Sequence, residues 1–298
     1  MPAPYSKVIS HWFDKRRGLA LGLAMAGVGL GTLIMPSLAQ ALIATVGWRQ
    51  AYVLFGLMVI VVSIPVVGLF LQETPQMMGL QPDGKAGARA GGAKPNDQTQ
   101  GLSCREARHT ATFWLMTGAF SLMAASINGC ILHLVPMLTD RGVSAQSAAF
   151  AASSFGGALL VGRVGTGYLL DRFFAPHVAA CFFFGPALGL SLLWSGAAGG
   201  LAFVAAIFVG LGLGAEVDLI AYLVGRYFGL RAFGEIYSCI FAAFVLAGGV
   251  GPLLMGSGFD ETGSYSSVLG IFVVATLSAV GLVTQLGPYR IWESEQPA

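Results

Sequence analysis

The sequence predicts an all-α, polytopic membrane protein with eight transmembrane helices. Two observations support this prediction: the composition and the length of the apolar runs. Apolar residues fill 55% of the 298 positions, charged residues only 10%, and the mean hydropathy is +0.74. A soluble domain carries about 25% charged residues, so this chain has too little charge to cover a water-exposed surface. We expect the lipid bilayer to surround it.

Eight apolar runs are long enough to cross the hydrocarbon core as helices. Crossing takes about 20 mostly apolar residues in a helix. Runs that are this long and this uniform do not suit the alternating strands of a membrane barrel. The predicted spans are 18–46, 50–71, 112–138, 144–170, 176–197, 200–224, 233–257 and 264–288.

The lysines and arginines are divided unevenly between the two sides of the membrane. With the spans placed as above, 13 fall on one side, Arg49 and Arg141 on the other, and Arg163 within a span. Cytoplasmic loops carry an excess of Lys and Arg. The distribution predicts that both termini lie in the cytoplasm, and we expect the plasma (inner) membrane as the location. The net charge of +2 is too small to indicate a nucleic-acid partner.

A long polar stretch at 72–110 divides the sequence into three predicted regions. It contains several glycines and few large apolar residues, which is typical of a flexible linker. We therefore expect a two-helix membrane unit at 1–71, a cytoplasmic linker at 72–110 and a six-helix bundle at 111–298. Within the linker, the part from Ser103 to His109 is predicted to form a short helix at the membrane surface.

The cysteines indicate no metal or cofactor site, and the glycines indicate helix packing. The four cysteines have no C-x-x-C spacing, so we expect no zinc site and no disulfide framework. Glycine pairs four residues apart, such as Gly185 with Gly189 and Gly210 with Gly214, predict close contacts between helices.

The first two predicted spans resemble the last two at a spacing of 216 residues. Pro36 matches Pro252, and Gly47 matches Gly263 at the start of the second helix of each pair. The matches predict two copies of one unit in the same orientation, as in transporters with parallel repeats. The second copy has six spans and the first only two, so we expect four helices to precede Met1 in a complete protein.

Two stretches resemble signatures of the major facilitator superfamily. The first, Trp12 to Gly27 (WFDKRRGLALGLAMAG), is similar to the segment leading into the fifth helix of monocarboxylate porters. The second, Gly167 to Arg172 (GYLLDR), resembles the Gly-x-x-x-Asp-Arg loop between the eighth and ninth helices, although Phe174-Ala175-Pro176 replaces the usual trailing Gly-Arg. The resemblance covers nearly the whole chain as helices five to twelve. It implies a partial major-facilitator fold: the last two helices of the N-terminal bundle and a complete six-helix C-terminal bundle.

The resemblance to the monocarboxylate porter and oxalate-formate antiporter branch implies a secondary carrier rather than an enzyme. The expected substrate is a small organic anion, a monocarboxylate, carried by alternating access as a symporter or antiporter, with a proton as the candidate coupling ion. One alternative is an inactive truncated transporter. Another is a membrane-embedded hydrolase, but the sequence has no HExxH, no GxSG-type serine before a helix and no paired aspartates at helical spacing.

Arg163 is the predicted substrate-binding residue. It lies within the span 144–170, where a guanidinium can hold a carboxylate through paired hydrogen bonds. Oxalate porters, which the sequence resembles, place a substrate-binding arginine on the eighth helix, eight residues before the loop aspartate, as Arg163 stands before Asp171. The alternative is a structural pair with Glu216 or Asp218. No basic residue lies between 238 and 256, which favours a monoanion over a dianion held between two cations.

Three further ionisable residues lie within predicted spans, where charge is costly. Glu216 and Asp218 are candidates for proton coupling, yet they project about 200° apart on a helix and cannot both face one cavity. Either could instead bind a neighbouring helix. His133 could bind substrate or a proton, or it could bond a backbone carbonyl freed by Pro136.

Asp171, Arg172 and Gly18 are predicted to form a gate. In the superfamily that the sequence resembles, the loop aspartate meets the N-terminus of a helix in the other bundle, where the helix dipole favours a negative charge. By symmetry, that position would be near Gly18.

Overall fold

The computed structural model describes residues 45–70 and 101–289, together with isolated positions between 8 and 43. Helix α1 comprises Trp48–Met58, a π-helical turn at Val59–Ser63 and Ile64–Phe70. The short helix α2 is Cys104–Arg108. The remaining helices are α3 (Ala111–Asp140), α4 (Ala145–Leu170), α5 (Ala175–Trp194), α6 (Gly200–Phe228), α7 (Phe233–Thr262) and α8 (Ser266–Thr284).

Within the described part of the chain, seven helices are long and apolar enough to cross a membrane. They are α1 and α3 to α8, and they match the second to eighth predicted spans. The prediction of an all-α membrane protein is confirmed. The first predicted span, 18–46, lies mostly outside the described residues.

Several helices extend beyond the predicted ends of their spans. Helix α7 continues through Asp260 and Glu261 to Thr262, and α6 continues through Arg226 to Phe228. Charged residues end the hydrocarbon-crossing part of a helix but not its backbone hydrogen bonding, so hydropathy alone underestimates helix length.

The π-helical turn in α1 lies next to a proline. The Ile64 N–H donates to the Val59 carbonyl, five residues back, and Pro65 follows at once. Proline lacks an N–H and its ring collides with the preceding turn. A wider turn therefore accommodates Pro65 without breaking the helix.

Helices α3 to α8 pack into one bundle. Helix α6 packs against α4 and α5, α8 packs against α5 and α3, and α7 packs mainly against α3. Large side chains fill the centre, including Phe120 of α3 and Phe183 of α5, whose rings meet edge to face at 5.2 Å. The boundaries predicted for the three regions of the chain remain predictions.

Glycines allow the α4 and α6 backbones to approach closely, as the sequence predicted. A Cβ added at Gly210 would lie 2.5 Å from the Phe155 carbonyl oxygen of α4. One added at Gly214 would collide with the Leu159 carbonyl and come within 2.9 Å of the Arg163 nitrogen. Only glycine fits these positions. Because it has no side chain, the backbone of Arg163 packs directly against α6.

The predicted short helix from Ser103 to His109 is present as α2. The Ser103 hydroxyl accepts a hydrogen bond from the Glu106 N–H, and the Glu106 carboxylate accepts one from the Ser103 N–H, which makes a capping box. Just before it, the Leu102 N–H donates to the Phe228 carbonyl at 2.9 Å. This last bond fixes the start of α2 against the end of α6.

Two glycines matched by the predicted repeat have similar local structure. Gly47 and Gly263 both have positive φ, at 82° and 67°, where glycine is favoured. Each donates its N–H to the carbonyl four residues back, Ile43 for the first and Phe259 for the second. Each glycine therefore ends one helix before the next begins. The superposition of the full helix pairs involves residues outside the described part of the chain, so it remains a prediction.

Candidate functional site

Arg163 lies where α4 meets α6. Phe155, Leu159 and Arg163 follow one another at intervals of one helical turn and face the glycines of α6. The arginine is only 6% exposed. Because the side chain is almost completely buried, its guanidinium lies within the bundle and not on its surface.

The two predicted proton-coupling residues leave α6 on different sides. Asp218 is one turn after Gly214, and thus on the side that faces α4, and it is 5% exposed. Glu216 is one turn after Gly212, which packs against Pro186 of α5, and it has no exposed surface. The helices that pack against Gly212 and Gly214 thus differ, and so do the sides of α6 that carry Glu216 and Asp218.

Arg163 nevertheless lies within electrostatic range of both carboxyl groups. The structure therefore brings together three of the residues that the sequence singled out, from two helices. Most of their polar atoms are unpaired, however: Arg163 Nε and Nη1, both carboxyl oxygens of Glu216 and Asp218 Oδ2 have no hydrogen-bond partner.

Tyr237 of α7 completes this group, and the sequence reasoning missed it. It is 1% exposed, its hydroxyl has no hydrogen-bond partner, and its electrostatic neighbour is Asp218. Its ring stacks between Phe233 and Phe241 at 5.8 and 5.4 Å. The signal was available: in a column of aromatic residues at helical spacing, Tyr237 alone carries a hydroxyl.

We call Arg163, Glu216, Asp218 and Tyr237 the buried cluster. Within the part of the chain that the structure describes, every buried side-chain nitrogen or oxygen atom without a hydrogen-bond partner belongs to these four residues. Leaving such an atom unpaired costs about 1–3 kcal/mol, and more when it is charged. Concentrating that cost in one place indicates a site for a ligand. The guanidinium and hydroxyl can donate to a carboxylate, and each carboxyl group can take up or release a proton.

His133 lies away from the buried cluster. Its Nε2 is 3.2 Å from the carbonyl oxygen of Pro252 on α7, and its ring is 5.5 Å from that of Tyr265. Counted at 1.5 Å per residue from the α3–α4 turn, it is about 16 Å from Arg163 along the bundle. The alternative that the sequence left open, a bond to a backbone carbonyl, is the one observed, although the carbonyl belongs to another helix and not to the turn before Pro136.

Two of the three predicted gate residues, Asp171 and Arg172, lie in the described part of the chain. Asp171 caps the C-terminus of α4, and the Arg172 guanidinium lies 4.2 Å from the centre of the Tyr168 ring, a cation–π contact. Gly18 lies outside the described residues, so its contact with Asp171 remains a prediction. Among the described residues, no group of three or more His, Cys, Asp or Glu side chains is placed to hold a metal ion.

Comparisons with known proteins agree with this architecture. Human Monocarboxylate transporter 11 is 30% identical over 278 residues, covering 89% of this chain and 55% of that protein. Monocarboxylate transporter 12-B of Danio rerio is 26% identical over 318 aligned positions, covering 98% of this chain and 65% of the relative. The chain therefore spans a little over half to two thirds of these relatives.

A solved structure has the same fold at low sequence identity. The E. coli fucose:proton symporter FucP superposes with a TM-score of 0.68 at 16% identity, covering 94% of this chain and 71% of the symporter. The profile described as Major Facilitator Superfamily matches residues 1–252. With that match over most of its length, and with seven apolar helices in its described part, this multi-pass membrane protein belongs to the Major Facilitator Superfamily.

Proposed function

We propose that this chain acts in a secondary carrier for a small monocarboxylate anion, working by alternating access. The observation that carries the proposal is Arg163, a guanidinium that is 6% exposed and has two nitrogens without a partner. Paired donors on a planar fork match the geometry of a carboxylate. Two of the relatives are named monocarboxylate transporters, which supports the same substrate class.

The charge of the buried cluster favours a monoanion. Arg163 is its one cation, and no basic residue occurs in α7 between 238 and 256. A second carboxylate on the substrate would find no second cation there. Because charges interact strongly at low dielectric constant, an uncompensated carboxylate would be excluded. We assign Tyr237 as a second donor to the bound carboxylate, because its buried hydroxyl is unpaired.

Charge balance also supports a coupled proton. With one carboxyl group neutral, Arg163 and the other carboxylate cancel, and the buried cluster has no net charge. A monoanion that enters adds one negative charge, which one proton on the remaining carboxylate offsets. We assign this proton to Asp218, which shares the side of α6 that faces Arg163, while Glu216, without exposed surface, is the carboxyl group that stays neutral. The proposed reaction is therefore symport of one proton per monoanion.

The proposal also covers the linker, the gate residues and His133. The segment 72–110 would link two membrane units on the cytoplasmic side, with both termini in the cytoplasm and the protein in the plasma (inner) membrane. Asp171 and Arg172 would close the cytoplasmic side against the helix that begins near Gly18. We assign His133 to the contact between α3 and α7 rather than to the substrate, because its ring nitrogen bonds the carbonyl of Pro252.

Transport by the purified protein in liposomes tests this proposal. Uptake of radiolabelled lactate and pyruvate should rise when the outside is more acidic than the lumen, and a pH-sensitive dye in the lumen should report acidification. Unlabelled monocarboxylates should compete, whereas malonate and the neutral amide of lactate should not. If no monocarboxylate is taken up, the proposal is wrong. If uptake occurs but does not depend on the proton gradient, the proposed proton coupling is wrong.

A further inference from the structure

Two thiols from distant parts of the chain meet where α2 packs on α7. Cys104 is the first residue of α2, and Cys239 lies in the second turn of α7. Their sulfur atoms are 3.8 Å apart, and both residues are half-buried. An open cavity of about 720 Å³ adjoins the pair; it is lined by Cys104, Arg105, Arg108, His109, Trp114 and Glu235. A small solute in this cavity can therefore reach Cys104, and Cys239 beside it is itself partly exposed.

The backbone around Cys104 is held in place from both sides. Before α2, Leu102 bonds to the Phe228 carbonyl, and a Cβ added at Gly101 would lie 2.6 Å from that same oxygen. After α2, the Trp114 indole N–H donates to the Arg108 carbonyl at 2.9 Å. The two sulfur atoms are thus neighbours because the surrounding structure places them together. A disulfide bond is about 2.0 Å long, so they need to approach by about 1.8 Å.

The two thiols have different surroundings. The Arg108 guanidinium donates to the Cys239 sulfur at 2.9 Å, and a cation in this position stabilises a thiolate. Burial, followed by the contact with Cys239, raises the pKa of the Cys104 thiol. Cys239 is therefore suited to attack an oxidant, and Cys104 to react second. Glu235 is the carboxylate near the pair, and it opposes ionisation of Cys104.

We propose that Cys104 and Cys239 are a redox-sensitive pair, which a hydroperoxide converts into a disulfide that ties α2 to α7. In the first step, the Cys239 thiolate attacks the terminal peroxide oxygen. A sulfur–oxygen bond forms, the oxygen–oxygen bond breaks, and the departing alkoxide or hydroxide takes a proton. In the second step, the Cys104 sulfur displaces the hydroxyl group of the Cys239 sulfenic acid, and water leaves. In total, two thiols and one hydroperoxide give one disulfide, one alcohol (or water) and one water.

The disulfide would attach the end of the 72–110 segment covalently to α7. The loop that it closes runs from Cys104 to Cys239. In the cytoplasm, where this end is predicted to lie, disulfides are transient and serve redox sensing. The bond is therefore a reversible modification, which glutathione or thioredoxin would reduce.

Thiol counting tests the pair directly. Purified protein is treated with hydrogen peroxide, and catalase removes the remaining peroxide. The protein is then denatured and labelled with a maleimide polymer, and each labelled thiol slows the migration of the protein on a gel. The protein has four cysteines, and we expect two to become unreactive, with dithiothreitol restoring them. Peptide mapping should find a Cys104–Cys239 crosslink. If all four thiols stay free, or if the crosslink joins another pair, the proposal is wrong.

Single variants assign the two roles. In Cys104→Ser, Cys239 should accumulate as a sulfenic acid that dimedone traps, whereas Cys239→Ser should leave Cys104 unmodified at the same peroxide dose. Arg108→Gln should slow disulfide formation about tenfold. Arg105→Gln is the matched control, because Arg105 lines the same cavity without a bond to sulfur, and its rate should be unchanged. Equal rates for Arg108→Gln and the parent, with both eluting as monodisperse protein, would overturn the activating role of Arg108.

Discussion

Replacing Gly210 by alanine should force α4 and α6 apart. The added Cβ would lie 2.5 Å from the Phe155 carbonyl oxygen and 3.0 Å from the Ala158 Cβ. Ordinary contact begins at 3.4 Å. The carbonyl belongs to a helix backbone and cannot rotate away, so the two helices must separate by up to about 0.9 Å at this point.

The expected cost follows from overpacking. Forcing an extra carbon into a well-packed contact destabilises a protein by about 1–3 kcal/mol. Removing glycine from a helix offsets at most about 1 kcal/mol of this. Gly156→Ala is the matched control: it lies on α4, one residue after Phe155, and its Cβ would meet no described atom within 4 Å. Because both variants share the change in helix propensity, the difference between them isolates the contact.

Thermal unfolding in detergent measures that difference. At about 2–4 °C per kcal/mol for a protein of this size, Gly210→Ala should melt several degrees below Gly156→Ala. The same separation displaces the α4 backbone from α6 near Arg163, so the substrate affinity of Gly210→Ala should also fall. Equal melting temperatures would refute the backbone contact between α4 and α6.

Three further predictions concern named polar groups. His133→Ala should lower stability by about 0.5–1.5 kcal/mol, because its bond to the Pro252 carbonyl is lost, yet leave monocarboxylate affinity unchanged; lost affinity with normal stability would return His133 to the substrate site. Tyr237→Phe removes a buried hydroxyl without a partner, so melting temperature should not fall, while affinity should weaken about fivefold; a destabilised variant would contradict the assignment. Hydrogen bonds from the Ser103 N–H and hydroxyl lower the pKa of Glu106. The cap on α2 should therefore be complete above about pH 4.3 and be lost as the pH falls through that lowered pKa. Hydrogen exchange of α2, corrected for intrinsic rates, should show this loss in the parent and not in Glu106→Gln.

The spans were predictable because membrane helices follow a single physical rule, the length of an apolar run. Their ends were not, since α7 continues past Asp260 and Glu261. The N-terminus of α2 was also predictable, because Ser103 and Glu106 have the spacing of a capping box. In contrast, the contact between Gly251 and the Ala125 carbonyl, which joins α7 to α3, depends on how distant helices are oriented, and hydropathy does not report orientation.

The candidate site was predictable in its charges but not in its arrangement. Arg163, Glu216 and Asp218 attracted notice because ionisable groups are costly in a membrane. Tyr237 did not, because a tyrosine is ordinary in an apolar helix and only its burial with an unpaired hydroxyl sets it apart. Likewise, nothing in the spacing of Cys104 and Cys239 indicates that their sulfur atoms meet, because they are 135 residues apart.

The central claim is that the Arg163 guanidinium binds the carboxylate of a monoanion. Equilibrium binding of radiolabelled lactate to the purified protein and to Arg163→Lys tests it most directly, with Arg231→Lys, an exposed position, as the control. Lysine keeps the charge but loses the planar fork. We predict at least about tenfold weaker binding for Arg163→Lys, since hydrogen bonds to a charged group contribute about 1.5–3 kcal/mol, with a melting temperature close to that of the parent. Unchanged affinity in Arg163→Lys, or failure of both Arg163→Lys and Arg163→Met to insert into the membrane, would contradict the claim and leave the arginine a structural residue.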